Sequence, residues 1–84
     1  MNDFSSRLQE IARLLIQGRI GDANSLWGAF LPTLSNFMRN QKPEFQERLL
    51  PALRQILACQ QQKDWIGMSD GLRYGLLPLV EGHH

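Results

Sequence analysis

The sequence predicts an all-α fold, a single-domain antiparallel four-helix bundle built of two helical hairpins. Apolar residues recur at steps of three and four in four segments, and no segment shows the strict alternation of apolar and polar residues that is typical of a strand. The connections between the segments are short, which favours antiparallel neighbours. Residues 19–34 and 65–80 also share Ile, Gly, Leu, Leu and Pro at an offset of 46 residues, as expected of two similar hairpins.

The first helix is predicted over residues 4–17. Ser6 and Gln9 fit a capping box near its start, and Gly18 is placed to end it, because glycine accepts the left-handed conformation common after a helix. Five apolar residues are expected to form its buried face: Phe4, Leu8, Ile11, Ala12 and Leu15.

The second helix is predicted over residues 20–39, with Asp22 in the first turn, where a carboxylate suits the helix dipole. Pro32 lies inside this helix, and its ring should clash with the carbonyl of Gly28. We therefore expect a kink that Gly28 eases. The apolar face comprises seven residues: Ile20, Ala23, Trp27, Phe30, Leu31, Leu34 and Met38.

The third helix is predicted over residues 43–61, after the polar connection RNQK, with Pro43 as a suitable first residue. Pro51 interrupts it and either kinks the helix or splits it into a short turn and a longer helix. Its apolar face comprises six residues: Phe45, Leu49, Ala52, Leu53, Ile56 and Leu57.

The fourth helix is predicted over residues 65–79, with Asp64 as its N-terminal cap. Its apolar face comprises Trp65, Met68, Leu72, Leu76 and Leu79. Residues 1–80 are expected to form one helical domain, and residues 81–84 resemble the remnant of a purification tag. A core this small supplies only about 3–5 kcal/mol unless it is well packed or the chain oligomerises.

The composition gives no indication of an enzyme. Both histidines lie in the tag-like end, so the domain lacks the commonest general base and a common metal ligand. Cys59 has no partner that would activate it, and it is expected to be a buried small hydrophobe. We therefore predict no catalytic residue, no metal and no cofactor. A lone cysteine suits a reducing cytoplasm, and no apolar run is long enough for a membrane span.

The charge balance argues against a strong nucleic-acid interface, because the chain has a formal net charge of only +1. Lys42, Arg48 and Arg54 form at most a modest basic patch. A nucleic-acid-associated regulator using this patch is the weaker alternative to protein binding.

Glycine spacing in the fourth helix indicates a partner-binding surface. Gly67, Gly71 and Gly75 recur at a spacing of four, although each helical glycine costs roughly 1 kcal/mol relative to alanine. Such a stripe forms a shallow groove into which another backbone fits. The occupant is either a helix of the same chain, which compensates through packing, or an amphipathic helix of a protein partner.

In the second interpretation the binding site comprises Trp65, Gly67, Gly71, Arg73, Tyr74 and Gly75. Aromatic residues and arginine are over-represented among binding hot spots. Gly71→Leu would then fill the groove and abolish binding while the fold survives. A structural homodimer that uses the same groove is the alternative. No membrane partner is expected.

The stretch QQKDWIGMSDGLRYGLLPL resembles the C-terminal pattern of small bacterial helical proteins of uncharacterised function. Ten positions match: Lys63, Asp64, Trp65, Ile66, Asp70, Leu72, Tyr74, Leu76, Pro78 and Leu79. Arg73 and Gly75 stand where that pattern has glutamates. The resemblance implies a helical bundle and supplies no activity. In size and helical character the chain also resembles the small export chaperones that hold a partner helix, which implies a chaperone-like module.

Overall fold

The computed structural model describes residues 3–82, and every element of secondary structure in this range is a helix, as predicted. Three helices are followed by a fourth that contains a π-helical segment and is unbroken from residue 65 to residue 81, here called the C-terminal helix. The elements are α1 (Asp3–Ile16), α2 (Ile20–Arg39), α3 (Pro43–Gln61), α4 (Trp65–Asp70), the π-helical segment (Gly71–Leu76) and α5 (Leu77–Glu81). Glu81, assigned above to the tag-like end, is therefore helical, whereas residues 83 and 84 lie outside the described part.

Two helices end in the same hydrogen-bonded motif. After α1, Gly18 adopts a φ of 80°, and the Arg19 N–H donates to the Leu14 carbonyl at 2.9 Å. This Schellman motif confirms the predicted end of the first helix. After α3, Lys63 occupies the equivalent position with a φ of 58°, and the Asp64 N–H donates to the Cys59 carbonyl at 2.8 Å. The sequence did not predict this second motif, because lysine rarely adopts a left-handed conformation.

The helix beginnings confirm some of the predicted caps. Asp64 caps α4 by accepting a hydrogen bond at 3.0 Å from the Gly67 N–H, and Pro43 occupies the first turn of α3. Asp22 lies in the first turn of α2, as predicted. The capping box at Ser6 is wrong, because α1 already includes Asp3 and therefore places Ser6 inside the helix.

Both internal prolines are tolerated without a break. α2 continues through Pro32, and α3 continues through Pro51, which excludes the split of the third helix. Each proline is exposed, as are Gly28 and Glu47, the residues four positions earlier. Carbonyls that lose a helical partner there can bond to water, which reduces the cost of each proline. The bend at each site stays a prediction.

All of the helices contribute to one apolar core. Leu57, predicted to be buried, is 38% exposed, whereas Cys59 is buried as predicted. Leu57 immediately follows the fully buried Ile56 and so points about 100° away around α3. The buried apolar residues are Leu8, Ile11, Ala12, Leu14, Leu15, Ala23, Trp27, Phe30, Leu34, Phe45, Leu49, Ile56, Cys59, Met68, Leu72, Leu76, Leu77 and Val80.

Specific side-chain contacts tie the helices together across this core. The Ser69 hydroxyl, fully buried, donates to the Ala12 carbonyl at 3.1 Å and joins the C-terminal helix to α1. The Gln60 amide donates to Asn24 Oδ1 at 3.0 Å and joins α3 to α2. Aromatic rings meet edge to face in three pairs, which are Phe4 with Phe30, Phe4 with Phe37, and Phe37 with Phe45.

Candidate functional site

The C-terminal helix changes its hydrogen-bond register halfway along. At the end of the π-helical segment the Leu77 N–H donates to the Leu72 carbonyl, five residues earlier, in place of the usual four. Pro78 follows immediately, and proline has no amide hydrogen to donate, so it suits the point at which the register returns to α. The helix predicted over residues 65–79 is confirmed, and the π-helical segment within it was not predicted.

The register change gives this helix an effective period of four residues. In a regular α-helix, residues four apart drift by about 40° at each step. A π-helical segment holds more residues per turn, so it cancels that drift, and residues four apart stay in line. Burial follows this period from residue 66 to residue 80.

Four rows result, each with its own environment. One row is buried, namely Met68, Leu72, Leu76 and Val80. Another is exposed, namely Ile66, Asp70, Tyr74 and Pro78. The glycines share a half-buried row with Leu79, and the last row comprises Ser69, Arg73 and Leu77. The winding of the helix therefore explains why glycines spaced by four share one row.

The glycine row faces the chain itself. A Cβ added at Gly71 would lie 2.9 Å from Ile56 Cγ1, and one added at Gly75 would lie 3.8 Å from Ala52 Cβ, so both glycines face α3. Gly67 faces the carboxylate of its own cap, Asp64. This geometry agrees with the interpretation in which a helix of the same chain occupies the stripe. At Gly71 no open groove is left for a helix from another chain.

The exposed row lies beside the glycine row and carries two large apolar side chains. Ile66 is 73% exposed and Tyr74 is 74% exposed. They are separated by eight residues, which is two turns of this helix, with Asp70 between them on the same row. Burying such side chains against a partner is favourable by roughly 25 cal/mol for each Å² removed from water. The exposed row therefore offers apolar surface that a partner could cover.

The six residues of the predicted binding site are not brought together. Arg73 and Tyr74 line one cleft of about 380 Å³, together with Leu77 and, from α1, Gln9 and Arg13. Trp65 packs partly buried against the core, and the three glycines face α3 or the cap. Ile66, Gln9 and Arg13 were missed. Applying a period of four residues to this helix would have placed Ile66 in line with Tyr74. Gln9 and Arg13 could not be found in this way, because they are distant in sequence.

Arginine dominates the charge in this cleft. The Arg13 guanidinium donates to both carboxylate oxygens of Glu10, at 2.5 and 2.6 Å. This hydrogen bonding lowers the pKa of the Glu10 carboxyl and raises the pKa of Arg13. Arg73 has no ion pair with any residue of the described range 3–82.

Other depressions on the described part of the surface include one between α1 and α2 and one at the start of α3. A cleft of about 590 Å³ between α1 and α2 is lined by Ser6, Arg7, Glu10, Ile11, Leu26, Ala29 and Phe30. A depression of about 410 Å³ at the start of α3 contains Lys42 and Arg48 of the basic patch, with the acidic Glu44 between them in sequence. Arg54 does not line it, so the three basic residues considered for nucleic-acid binding do not surround one site.

The described residues contain no group of three or more His, Cys, Asp or Glu side chains that could hold a metal ion. None of the helices in the described part of the chain combines the length and the apolar character needed to cross a bilayer. Comparisons with protein-family models, with curated proteins and with solved structures find no match. The resemblance of the C-terminal pattern to small bacterial helical proteins stays a prediction.

Proposed function

We propose that this protein is a non-enzymatic, chaperone-like interaction module that binds an amphipathic helix of a partner protein on the exposed row of its C-terminal helix. The observation that carries the proposal is the alignment of Ile66 and Tyr74, both about three-quarters exposed, on one row. Amphipathic helices present apolar anchors at i, i+3, i+4 and i+7, and so could contact both side chains along one face.

The surface is supported from beneath by packed side chains. Met68, Leu72 and Leu76, on the opposite row, are buried at 1% exposure or less, and the Ser69 hydrogen bond fixes the helix to α1. A rigid platform binds at a lower entropic cost than a mobile segment, because its side chains need less ordering. The binding row therefore lies on the outer side of a helix whose inner side is packed into the core.

We further infer that the four helices form the antiparallel bundle of two hairpins. Ile56 faces Gly71 while Ala52 faces Gly75, so numbering falls along α3 as it rises along the C-terminal helix. The Asn24–Gln60 hydrogen bond and the Phe37–Phe45 ring contact support an antiparallel arrangement of α2 and α3 as well. This arrangement leaves the exposed row on the outside of the bundle.

The two alternatives have less support. The homodimer was predicted to use the glycine groove, which Ile56 fills at Gly71. The nucleic-acid interface needed three basic residues on one surface, and Arg54 does not line the depression at the start of α3 that contains the other two.

Site-specific photocrosslinking tests the proposal. p-Benzoylphenylalanine is placed at position 66, at position 74 and, as a control, at position 57, where Leu57 is exposed on α3. In the cells that make the protein, we expect one shared adduct at positions 66 and 74 that is absent at position 57. The cross-linked protein is then identified, purified and titrated against variants.

We expect Ile66→Arg to raise the Kd for the purified partner at least about tenfold and Leu57→Arg to leave it unchanged. Equal adducts at all three positions, or unchanged affinity in Ile66→Arg, would contradict the proposal. An adduct of twice the mass of the chain would indicate the homodimer instead.

A further inference from the structure

We propose that the cleft beside Tyr74 binds a side-chain carboxylate of the partner, so that the partner helix is acidic on the edge that faces α1. This inference rests on the proposed function above and specifies the chemistry of the partner. The cleft is defined by five residues: Gln9, Arg13, Arg73, Tyr74 and Leu77.

The groups that line the cleft match an anion. Arg13, Arg73 and Gln9 supply N–H donors, the Tyr74 hydroxyl can also donate, and none of the five lining residues carries a carboxylate. Leu77, only 9% exposed, adds an apolar contact surface. A carboxylate whose neighbouring side chain is apolar would therefore find both kinds of contact in one place.

The two arginines differ in whether they already bind a carboxylate. Arg13 already donates to both oxygens of Glu10, one turn earlier on α1. Arg73 is half-buried and has no ion pair within residues 3–82. A planar guanidinium binds a carboxylate through two parallel N–H···O bonds, and this geometry makes Arg73 the primary anchor.

The surrounding charges are compatible with this role. Glu10 is held by Arg13 through short hydrogen bonds, and that bonding lowers the pKa of its carboxyl. Asp70, three residues before Arg73, lies on the exposed row and does not line the cleft. A lysine from a partner would meet two guanidinium groups at this site, so charge complementarity favours an acidic segment over a basic one.

Synthetic peptides test the inference with a defined probe. The probe is a 14-residue amphipathic helix with leucines on one face and glutamates along its edges, and it is compared with versions that carry glutamine or lysine in place of glutamate. NMR titration follows the Arg73 Nε–H and Tyr74 ring signals. We expect the glutamate peptide to bind at least about tenfold more tightly than the glutamine peptide, with a preference that falls as salt rises.

Arg73→Gln should abolish that preference, and the matched variant Arg54→Gln, which changes an exposed arginine of α3, should retain it. Equal binding of the glutamate and glutamine peptides overturns the inference, as does a preference that survives Arg73→Gln. Failure of the glutamate peptide to bind at about 1 mM also overturns it.

Failure of this inference can be distinguished from failure of the proposed function. If all of the peptides bind equally and Ile66→Arg weakens all of them, the exposed row binds a helix without using the anion site. If position-specific cross-links at 66 and 74 are absent in cells, the proposed function fails, whatever the peptides do.

Discussion

Replacing Gly71 by alanine tests whether the glycine row packs against a helix of the same chain. The new Cβ would lie 2.9 Å from Ile56 Cγ1, closer than real Cβ contacts come, so one of the two residues must move. Ile56 is completely buried, and Cγ1 is next to its Cβ, so this atom cannot swing away as the end of a long side chain could. Gly71→Ala should therefore strain the contact between α3 and the C-terminal helix.

Two effects of opposite sign set the magnitude. Overpacking a tight core contact typically costs about 1–3 kcal/mol. Removing a helical glycine returns about 1 kcal/mol. The free energy of unfolding should therefore fall by about 0–2 kcal/mol in Gly71→Ala. Gly75→Ala is the matched control, because its Cβ would make an ordinary 3.8 Å contact with Ala52. That variant should gain about 1 kcal/mol.

Urea denaturation followed by tryptophan fluorescence measures the free energy of unfolding of both variants. Trp27 is buried in the folded protein, so its emission should change when the protein unfolds. We expect Gly71→Ala to be less stable than Gly75→Ala by about 1–3 kcal/mol. The Ile56 methyl signals should shift in Gly71→Ala only. Equal midpoints for the two variants, both above wild type, would refute the reasoning and indicate an open stripe at Gly71.

The same contact changes the expectation for a larger substitution. From the sequence, Gly71→Leu was expected to block a partner while leaving the fold intact. Because Ile56 already occupies that space, the leucine should instead destabilise the fold. Binding tests are therefore better made at Ile66 and Tyr74, whose side chains are exposed.

Three further predictions concern single contacts. Lys63→Gly should raise the free energy of unfolding by about 0.5–1 kcal/mol, because relief of the left-handed lysine outweighs the chain entropy that glycine adds to the unfolded state; thermal melts check this, and no change would contradict it. Ser69→Ala should lower stability by about 0.5–1.5 kcal/mol through loss of its buried bond to α1, measured by urea denaturation; a neutral result would count against that bond. In an NMR titration the pKa of Glu10 should lie below its ordinary value and return towards that value in Arg13→Gln, and an unshifted midpoint would contradict the ion pair. Because this pKa is lowered in the folded state, the pair stabilises the fold above the ordinary carboxyl range, and this contribution is lost as the pH falls through the folded-state pKa.

Much of the fold could be predicted from local sequence signals. Apolar periodicity located the four helices, and Gly18, Pro43 and Asp64 marked ends that the structure confirms. Each of these signals acts within about one helical turn. The end of α3 was harder to predict, because Lys63 adopts the left-handed conformation through the hydrogen bonds of the motif and not through its own preference.

The candidate site was less predictable, for a physical reason. A close approach to another helix is found at Gly71, but the sequence could not say which neighbour approaches, since Ile56 lies on a different helix. Likewise, the cleft beside Tyr74 depends on Arg13 and Gln9 of α1, which are separated from it by about 60 residues. Pro78 follows the register change but does not predict it, because Pro32 and Pro51 lie inside helices that keep the α register.

The register change also bears on how this helix tolerates changes in length. Three four-residue steps make three turns here, for which a regular α-helix needs about 10.8 residues, so the C-terminal helix contains about one residue more than regular geometry requires. Deleting one residue within Gly71–Leu76 should restore ordinary winding while Leu77 and Val80 still point inward. An insertion or deletion elsewhere in a helix would rotate everything beyond it by about 100°. The number of residues in this helix is therefore least constrained within the π-helical segment.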